Sequence, residues 1–420
     1  MHVTPLGAAR DSRPGPVVGL LLTLGGMVLL VQAWIRLWRS CRGRLALVRV
    51  TALLWSAPLM LAPPLFSRDA WSYAAQGTLA ALGISPYRHG PALLAGTVKQ
   101  AVDPLWRHTP APYGPLPLWW GDLLAHHLAS PLLLVYGHRL LAVAGILLLG
   151  LSAPRLAELG GVDPARTSAL LLASPAVVVN GVAGLHNDIL MVGLMAAALA
   201  LTPRLPHGWM LGAALAGLAA AVKVSGGMVA VGVILLSLPI GAGLLVRTRR
   251  TVGVGALAGV VLLATGVVTG LGHGWVSALS VPFMVTTFSP TAMLGMPGRV
   301  IGTLLPPVLG AIVLLKVPTG RADRALLAVG VLYLAAVAAL PAVRLWYLLW
   351  PLPFLAAVRL SPQAEVAVVG GAVVMGAISP MSTLPFGIVT WTGAAVVGVL
   401  VLGFRAGVGP WRQPRRTVLL

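Results

Sequence analysis

The sequence predicts an all-α protein that crosses a membrane many times. Three observations carry that prediction. The chain is 58% hydrophobic and only 9% charged, its mean hydropathy is +0.93, and its apolar residues gather into runs separated by short polar or basic stretches. A soluble domain of 420 residues does not carry so little charge. A spanning helix needs roughly 20 apolar residues, and the runs present allow about 13 spans, some of them short. The 50 glycines and 34 prolines fit this class, because both residues are common in membrane helices.

The net charge of +20 raises the question of nucleic acid. The basic residues, however, sit in clusters between apolar runs, which is how a membrane protein sets its orientation. The expected partner is therefore the lipid bilayer and not a nucleic acid. A single cysteine, Cys41, excludes an intramolecular disulfide and a cysteine-based metal site.

Residues 1–16 read as a polar N-terminal tail. Residues 17–35 form a first span with no small-residue cleavage signature, so it is retained. Arg36, Arg39, Arg42, Arg44 and Arg49 follow and mark the cytoplasmic side. A second span, about 45–66, leads to a long outer region, 67–130, rich in Trp, Tyr and Pro and suited to interfacial helices. Further spans are expected at about 131–152, 166–181, 187–202, 208–223, 226–245, 251–271, 298–316, 324–342, 345–360, 364–380 and 384–404. The resulting organisation is one transmembrane domain over 17–404 and a basic cytoplasmic tail over 405–420. With the N-terminus outside and the C-terminus inside, the basic excess falls inside, including Arg247, Arg249 and Arg250.

Chemistry is expected where polar groups gather at the outer ends of spans. In Phe66–Gly77 (FSRDAWSYAAQG), helical spacing puts Asp69, Ser72, Tyr73 and Gln76 on one face. Ser67 is placed to cap that helix, with Asp69 in its first turn and Gly83 at its stop. Asp69 is the candidate general base, although a carboxylate also simply suits a helix N-terminus. His186, Asn187 and Asp188 stand together at a turn on the same side, either as a hydrated loop or as hydrogen-bonding groups for substrate. Lys223, near the outer end of its span, either snorkels to the surface or holds a lipid-linked phosphate. Arg344, with Trp346, Tyr347 and Trp350, combines a guanidinium suited to phosphate with rings that stack on sugar, or belongs to an aromatic belt. Tyr113 lies within the Pro-rich turn 110–115, and His108 just precedes it. No phosphate-binding glycine loop and no HExxH motif occur. A group-transfer reaction would therefore draw on a membrane-borne donor met from outside.

These stretches, together with Gly83–Tyr87 (GISPY), Pro112–Pro115 (PYGP), Gly184–Met195 (GLHNDILMVGLM), Lys223 and Trp346–Pro353 (WYLLWPLP), resemble the actinobacterial polyprenol-phosphomannose-dependent α-1,6-mannosyltransferases. These are membrane glycosyltransferases of the GT-C class. The resemblance covers about residues 45–360. It implies an inverting transfer of mannose from polyprenyl phosphomannose to a growing α-1,6-mannan of the lipomannan type on the outer face of the plasma membrane. Asp69 then maps onto the family's acidic base, with Asp188 as a rival. Lys223, Arg344 and His108 would neutralise the leaving phosphate. Tyr73, Gln76, Tyr113, His186, Asn187, Asp188, Trp346 and Tyr347 would hold sugar and acceptor. No metal cofactor is expected, and a cation bridging Asp69 and Asp188 stays open. An arabinosyl- or glucosyltransferase, or a flippase for lipid-linked sugar, is the alternative.

Overall fold

The computed structural model describes residues 15–284 and 289–381, and every regular element in them is helical. The expected tail up to residue 14, the span 384–404 and the basic tail 405–420 lie outside the described residues.

The first helix, α1 (Gly15–Ser40), runs past the predicted end at residue 35. Its last turns are held because Trp34 is fully buried and donates its indole N–H to the Ala169 carbonyl at 3.0 Å. The second, α2 (Leu45–Leu61), stops short of the predicted residue 66, where Pro63 and Pro64 cannot continue a helix. Next comes α3 (Asp69–Ala81). Ser67 Oγ accepts the Asp69 N–H at 3.1 Å, and Gly83 ends the element at φ +73. The region 67–130 also holds short helices at Gly96–Ala101 and Pro104–Arg107, and a longer one, α4 (Pro115–His127).

A long helix, α5 (Pro131–Gly160), is capped by left-handed Gly161 and outruns the predicted 131–152. The predicted span 166–181 is broken. It comprises α6 (Pro164–Leu172) and a π-turn at Val177–Ala183, bent by 53° across the Ser174–Pro175 step. Then follow α7 (Asp188–Leu201), α8 (Gly208–Val222) and, after a 3-10 turn at Val224–Val229, α9 (Ala230–Ser237). The predicted span 226–245 ends early because Pro239 and left-handed Gly241 interrupt it. Consequently α10 (Leu244–Val268) begins before residue 251 and carries Arg247, Arg249 and Arg250 in its opening turns. After short helical turns at Trp275–Ala278, Val281–Met284 and Ala292–Leu294 come α11 (Gly295–Lys316), α12 (Ala322–Ala339), the short pair Leu345–Leu349 and Leu352–Leu355, α13 (Pro362–Ile378) and a last turn at Ser379–Met381.

Among the described residues, five helices are long and apolar enough to cross a bilayer, and the bent pair makes a sixth span. The protein is a multi-pass membrane protein. Its centre is α7, where every residue from Asp188 to Ala200 is buried, as its uniformly apolar surface requires. By contrast, α1, α10 and α11 leave rows of Leu, Ile and Val exposed, which suits contact with lipid.

Small residues let the helices approach closely. The backbones of α3 and α4 meet at Gly77 and Gly121, where a Cβ on Gly77 would lie 2.3 Å from the Gly121 carbonyl carbon. We expect Gly77→Ala to lower the melting temperature of the detergent-solubilised protein by several degrees, reflecting about 1–3 kcal/mol of overpacking. Gly26→Ala, facing open space, should leave it unchanged.

Candidate active site

The turns that enter α3 and α7 sit against each other. Leu65 N–H donates to the Ala183 carbonyl at 2.9 Å. Arg139, buried in α5, donates to the Val182 carbonyl at 3.1 Å and to the Ala62 carbonyl. One guanidinium thus ties together the two segments that carry Asp69 and His186. Both segments pass through left-handed non-glycine residues, Phe66 at φ +68 and Leu185 at φ +55. Such conformations cost on the order of 1–3 kcal/mol each and persist only where surrounding bonds impose them.

The result is a buried pair, with His186 Nδ1 3.2 Å from Asp69 Oδ2. An ionised carboxylate can only accept, so Nδ1 carries the proton. The Trp346 ring stacks on His186 with centroids 3.8 Å apart and fixes the imidazole plane. Burial works against an ionised Asp69. The hydrogen bond and charge of His186, followed by the charges of Arg344 and Lys223, outweigh it and hold the carboxyl below its ordinary range. Tyr73, one turn along α3, accepts from the Asn187 N–H at 3.3 Å and meets the Tyr113 ring edge-on at 5.2 Å.

A second carboxylate, Asp188, is sealed. Its Oδ1 accepts from Lys223 Nζ at 3.0 Å and from the Trp350 indole at 2.8 Å, and its side chain is 0% exposed. Lys223 also lies 3.9 Å over the Tyr347 ring, a favourable seat for a desolvated cation. Here α8 ends at Lys223, whose extended backbone turns the ammonium toward α7. The hydrated-loop reading of 186–188 does not hold, since all three residues are buried. The snorkelling reading of Lys223 fails for the same reason, because the lysine turns inward to Asp188.

A cavity of about 350 Å³ opens beside these groups. Of the residues singled out in the sequence, Asp69, Tyr113, Lys223, Trp346, Tyr347 and Trp350 line it. Tyr73, Gln76, His186, Asn187 and Asp188 stand behind that wall, buried. Arg344 is half-buried over the Trp106 ring at 5.0 Å and does not line the cavity, whereas Trp106 does. His108 is exposed and lies off the cavity. Asp69 pairs with His186, and Asp188 pairs with Lys223. No group of three or more His, Cys, Asp or Glu side chains suited to a metal occurs among the described residues. Arg139 escaped the sequence reading. A lone arginine inside an apolar run is its signal, because such a charge is retained in a membrane helix only where it has partners.

A family model described as alpha-(1->6)-mannopyranosyltransferase, N-terminal domain, matches residues 1–239. The chain belongs to this family. A model of the MptB C-terminal domain matches residues 268–405. A probable alpha-(1->6)-mannopyranosyltransferase of Mycolicibacterium smegmatis is 33% identical over 92% of this chain and 79% of its own length. An alpha-(1->6)-mannopyranosyltransferase of Mycobacterium tuberculosis is 31% identical over 94% of this chain and 81% of its own. Alpha-(1->6)-mannopyranosyltransferase A of Corynebacterium glutamicum is 30% identical over 61% of this chain and 57% of its own. No solved structure matches. The family membership makes this chain a glycosyltransferase, and it agrees with the resemblance drawn from the sequence. Asp69, His186, Asp188 and Lys223 fall within the first matched region, and Arg344–Trp350 within the second.

The sealed ion pair generates a stability prediction. Removing one partner of a buried pair typically costs about 3–5 kcal/mol, whereas replacing both with apolar groups can be neutral. Lys223→Met and Asp188→Leu should each lower the melting temperature in detergent markedly, and the double variant should recover much of the loss.

Proposed function

We propose that this glycosyltransferase moves mannose, with inversion, from polyprenyl phosphomannose to an α-1,6-mannan acceptor of the lipomannan type at the outer face of the plasma membrane. The observation that carries this reading is a single amphipathic cavity lined by one carboxylate and one ammonium. Asp69 and Lys223 stand at its polar end with Tyr113, Trp346 and Tyr347, while Val224, Met228, Pro306, Pro307 and Leu340 make its apolar remainder. A substrate with a sugar phosphate on a prenyl chain matches that division. The printed names of the relatives supply the sugar and the linkage.

The acceptor hydroxyl oxygen bonds to the mannosyl anomeric carbon on the face opposite the phosphate, and its proton passes to Asp69. The bond from that carbon to the phosphate oxygen breaks, and its electron pair leaves with the polyprenyl phosphate. Lys223 and, at longer range, Arg344 stabilise that charge, a contribution greatest in a site from which water is excluded. His186 keeps Asp69 ionised and oriented. Trp346 and Tyr347 offer faces to the sugar rings. No step calls for a metal. Asp188 acts through Lys223, because both its charge and one oxygen are engaged there. The GT-C architecture and a total of about 13 spans belong to the same reading. Its support is that five long helices, one bent span and six shorter apolar helices make twelve segments among the described residues, with 384–404 beyond them. The single transmembrane domain over 17–404, with short tails, also belongs to it.

The test is mannosyl transfer by purified protein from polyprenyl phosphomannose to a short α-1,6-mannoside. Asp69→Asn should lose about 10²–10⁴ in kcat while donor binding persists, the usual range for a general base. A wild type that binds donor yet transfers to no mannoside would sink the reading in favour of a flippase. The pH profile separates a base from a structural carboxylate. Asp69 must be ionised to accept a proton, so activity is lost as pH falls through its pKa. With that pKa held below the ordinary value of about 4, the acidic limb should lie lower still. His186→Phe keeps a ring under Trp346 but removes the hydrogen bond, so it should move the limb to higher pH.

A further inference from the structure

The end of the bundle remote from Asp69 holds another cavity. Because α2 leads from Leu45 up to the segment before Asp69, the turn 41–44 marks the opposite end. Residues from three other segments meet there. Gly43 N–H donates to Asp163 Oδ2 at 3.1 Å, and Arg359 Nε donates to the Gly161 carbonyl at 3.0 Å. Between them lies a space of about 360 Å³ with Trp38, Arg42, Asp163, Arg166, Arg359 and Glu365 around it and Leu170, Leu355 and Val369 in its wall.

The charges around it are unevenly committed. Asp163 spends one oxygen on the Arg166 N–H at 2.9 Å and the other on Gly43. Glu365 pairs with Arg166 at 2.9 Å, and the Arg166 guanidinium lies 4.3 Å over the Trp38 ring. Arg42 is exposed, and Arg359 keeps its terminal amines. Neither has an acidic partner among the described residues. Two guanidiniums therefore face the cavity rim without a counter-ion, beside an aromatic ring and above an apolar wall.

We propose that this cavity binds the phosphodiester headgroup of an anionic phospholipid, with Arg42 and Arg359 on the phosphate. Arginine offers a planar fork of donors that matches phosphate oxygens. The location selects lipid over a dissolved anion. Trp38, half-buried at the end of the apolar helix α1 and in the cavity lining, stands at the depth where tryptophan meets headgroups. Basic pockets between membrane helices commonly take anionic headgroups there. Leu170, Leu355 and Val369 would meet the glycerol and first acyl carbons, which a soluble phosphate lacks.

The experiment is native mass spectrometry of the full chain in detergent, titrated with dioctanoyl phosphatidylglycerol, dioctanoyl phosphatidylcholine and inorganic phosphate. Wild type should bind the phosphatidylglycerol at least about tenfold more tightly than the phosphatidylcholine, because both lipids offer the same phosphate oxygens but the choline cation is repelled by the two guanidiniums. Arg42→Gln and Arg359→Gln should each erase most of that preference, weakening phosphatidylglycerol binding far more than phosphatidylcholine binding. Arg42 is exposed and its side chain makes no hydrogen bond or ion pair among the described residues, and a melting curve checks the folding of both variants. Equal binding of the two lipids by wild type, or a preference surviving in both variants, would overturn the proposal. Displacement of phosphatidylglycerol by inorganic phosphate at similar concentration would reassign the site to a free anion. No mannosyl transfer is read, so the result stands apart from the proposed reaction.

Discussion

A dry helical bundle can hold a charge only where another group answers it, and the pairing of Asp188 with Lys223 is the clearest case. Each would be intolerable alone between α7 and α8. Together they bring the end of α8 to the start of α7 and set the ammonium at the cavity, with Trp350 supplying a second donor to the same oxygen. The same rule organises the surroundings. Arg139 satisfies two backbone carbonyls that a broken helix and a Pro-rich turn leave exposed. Asp69 finds His186. The polar groups of this site are therefore also what fixes the relative positions of α2, α3, α5 and α7.

The pattern in the sequence spoke clearly about local matters. The start of α3 at Asp69 and its stop at Gly83 follow from residues a few positions apart, although Arg68 and not Ser67 holds the N-cap position and the Ser67 hydroxyl accepts the Asp69 N–H from one residue further out. So does the gathering of His186, Asn187 and Asp188 at one turn. What a single chain does not display is which of these groups meet. Asp69 and His186 are 117 positions apart, and Asp188 and Lys223 are 35 apart. Without those contacts, His186 reads as a sugar ligand and Asp188 as a rival base. Hydropathy also hides breaks within apolar stretches. Pro175 splits one predicted span and Pro239 shortens another, although each proline was visible as a breaker. Arg139 lies inside an apolar run, where the sequence displays the charge but not the two distant carbonyls that answer it.

Strain and support occur side by side. Phe66 precedes the turn into Asp69, and Leu185 immediately precedes His186, each with a backbone that side chains other than glycine's rarely adopt. Leu185 is wedged into a small apolar cluster with Ala70, Ala74, Leu134 and Val135. Ala70 and Ala74 belong to the helix that bears Asp69, so the packing that holds one turn also braces the other. Two chain segments are thus committed to one arrangement of carboxylate and imidazole before any substrate arrives.

The order in which these partners occur along the chain has a further consequence. Asp69, Arg139, His186, Asp188 and Lys223 all precede α9, and so do their ion-pair partners and the carbonyls that Arg139 meets, whereas Arg344, Trp346, Tyr347 and Trp350 come later. A nascent chain leaving the insertion machinery can therefore pair the charges of this site early, while later helices are still being made. The wall supplied by α11, α12 and Trp346–Trp350 is added afterwards. In biogenesis the reactive corner would thus be assembled first, and the mouth that receives a lipid substrate would be closed last.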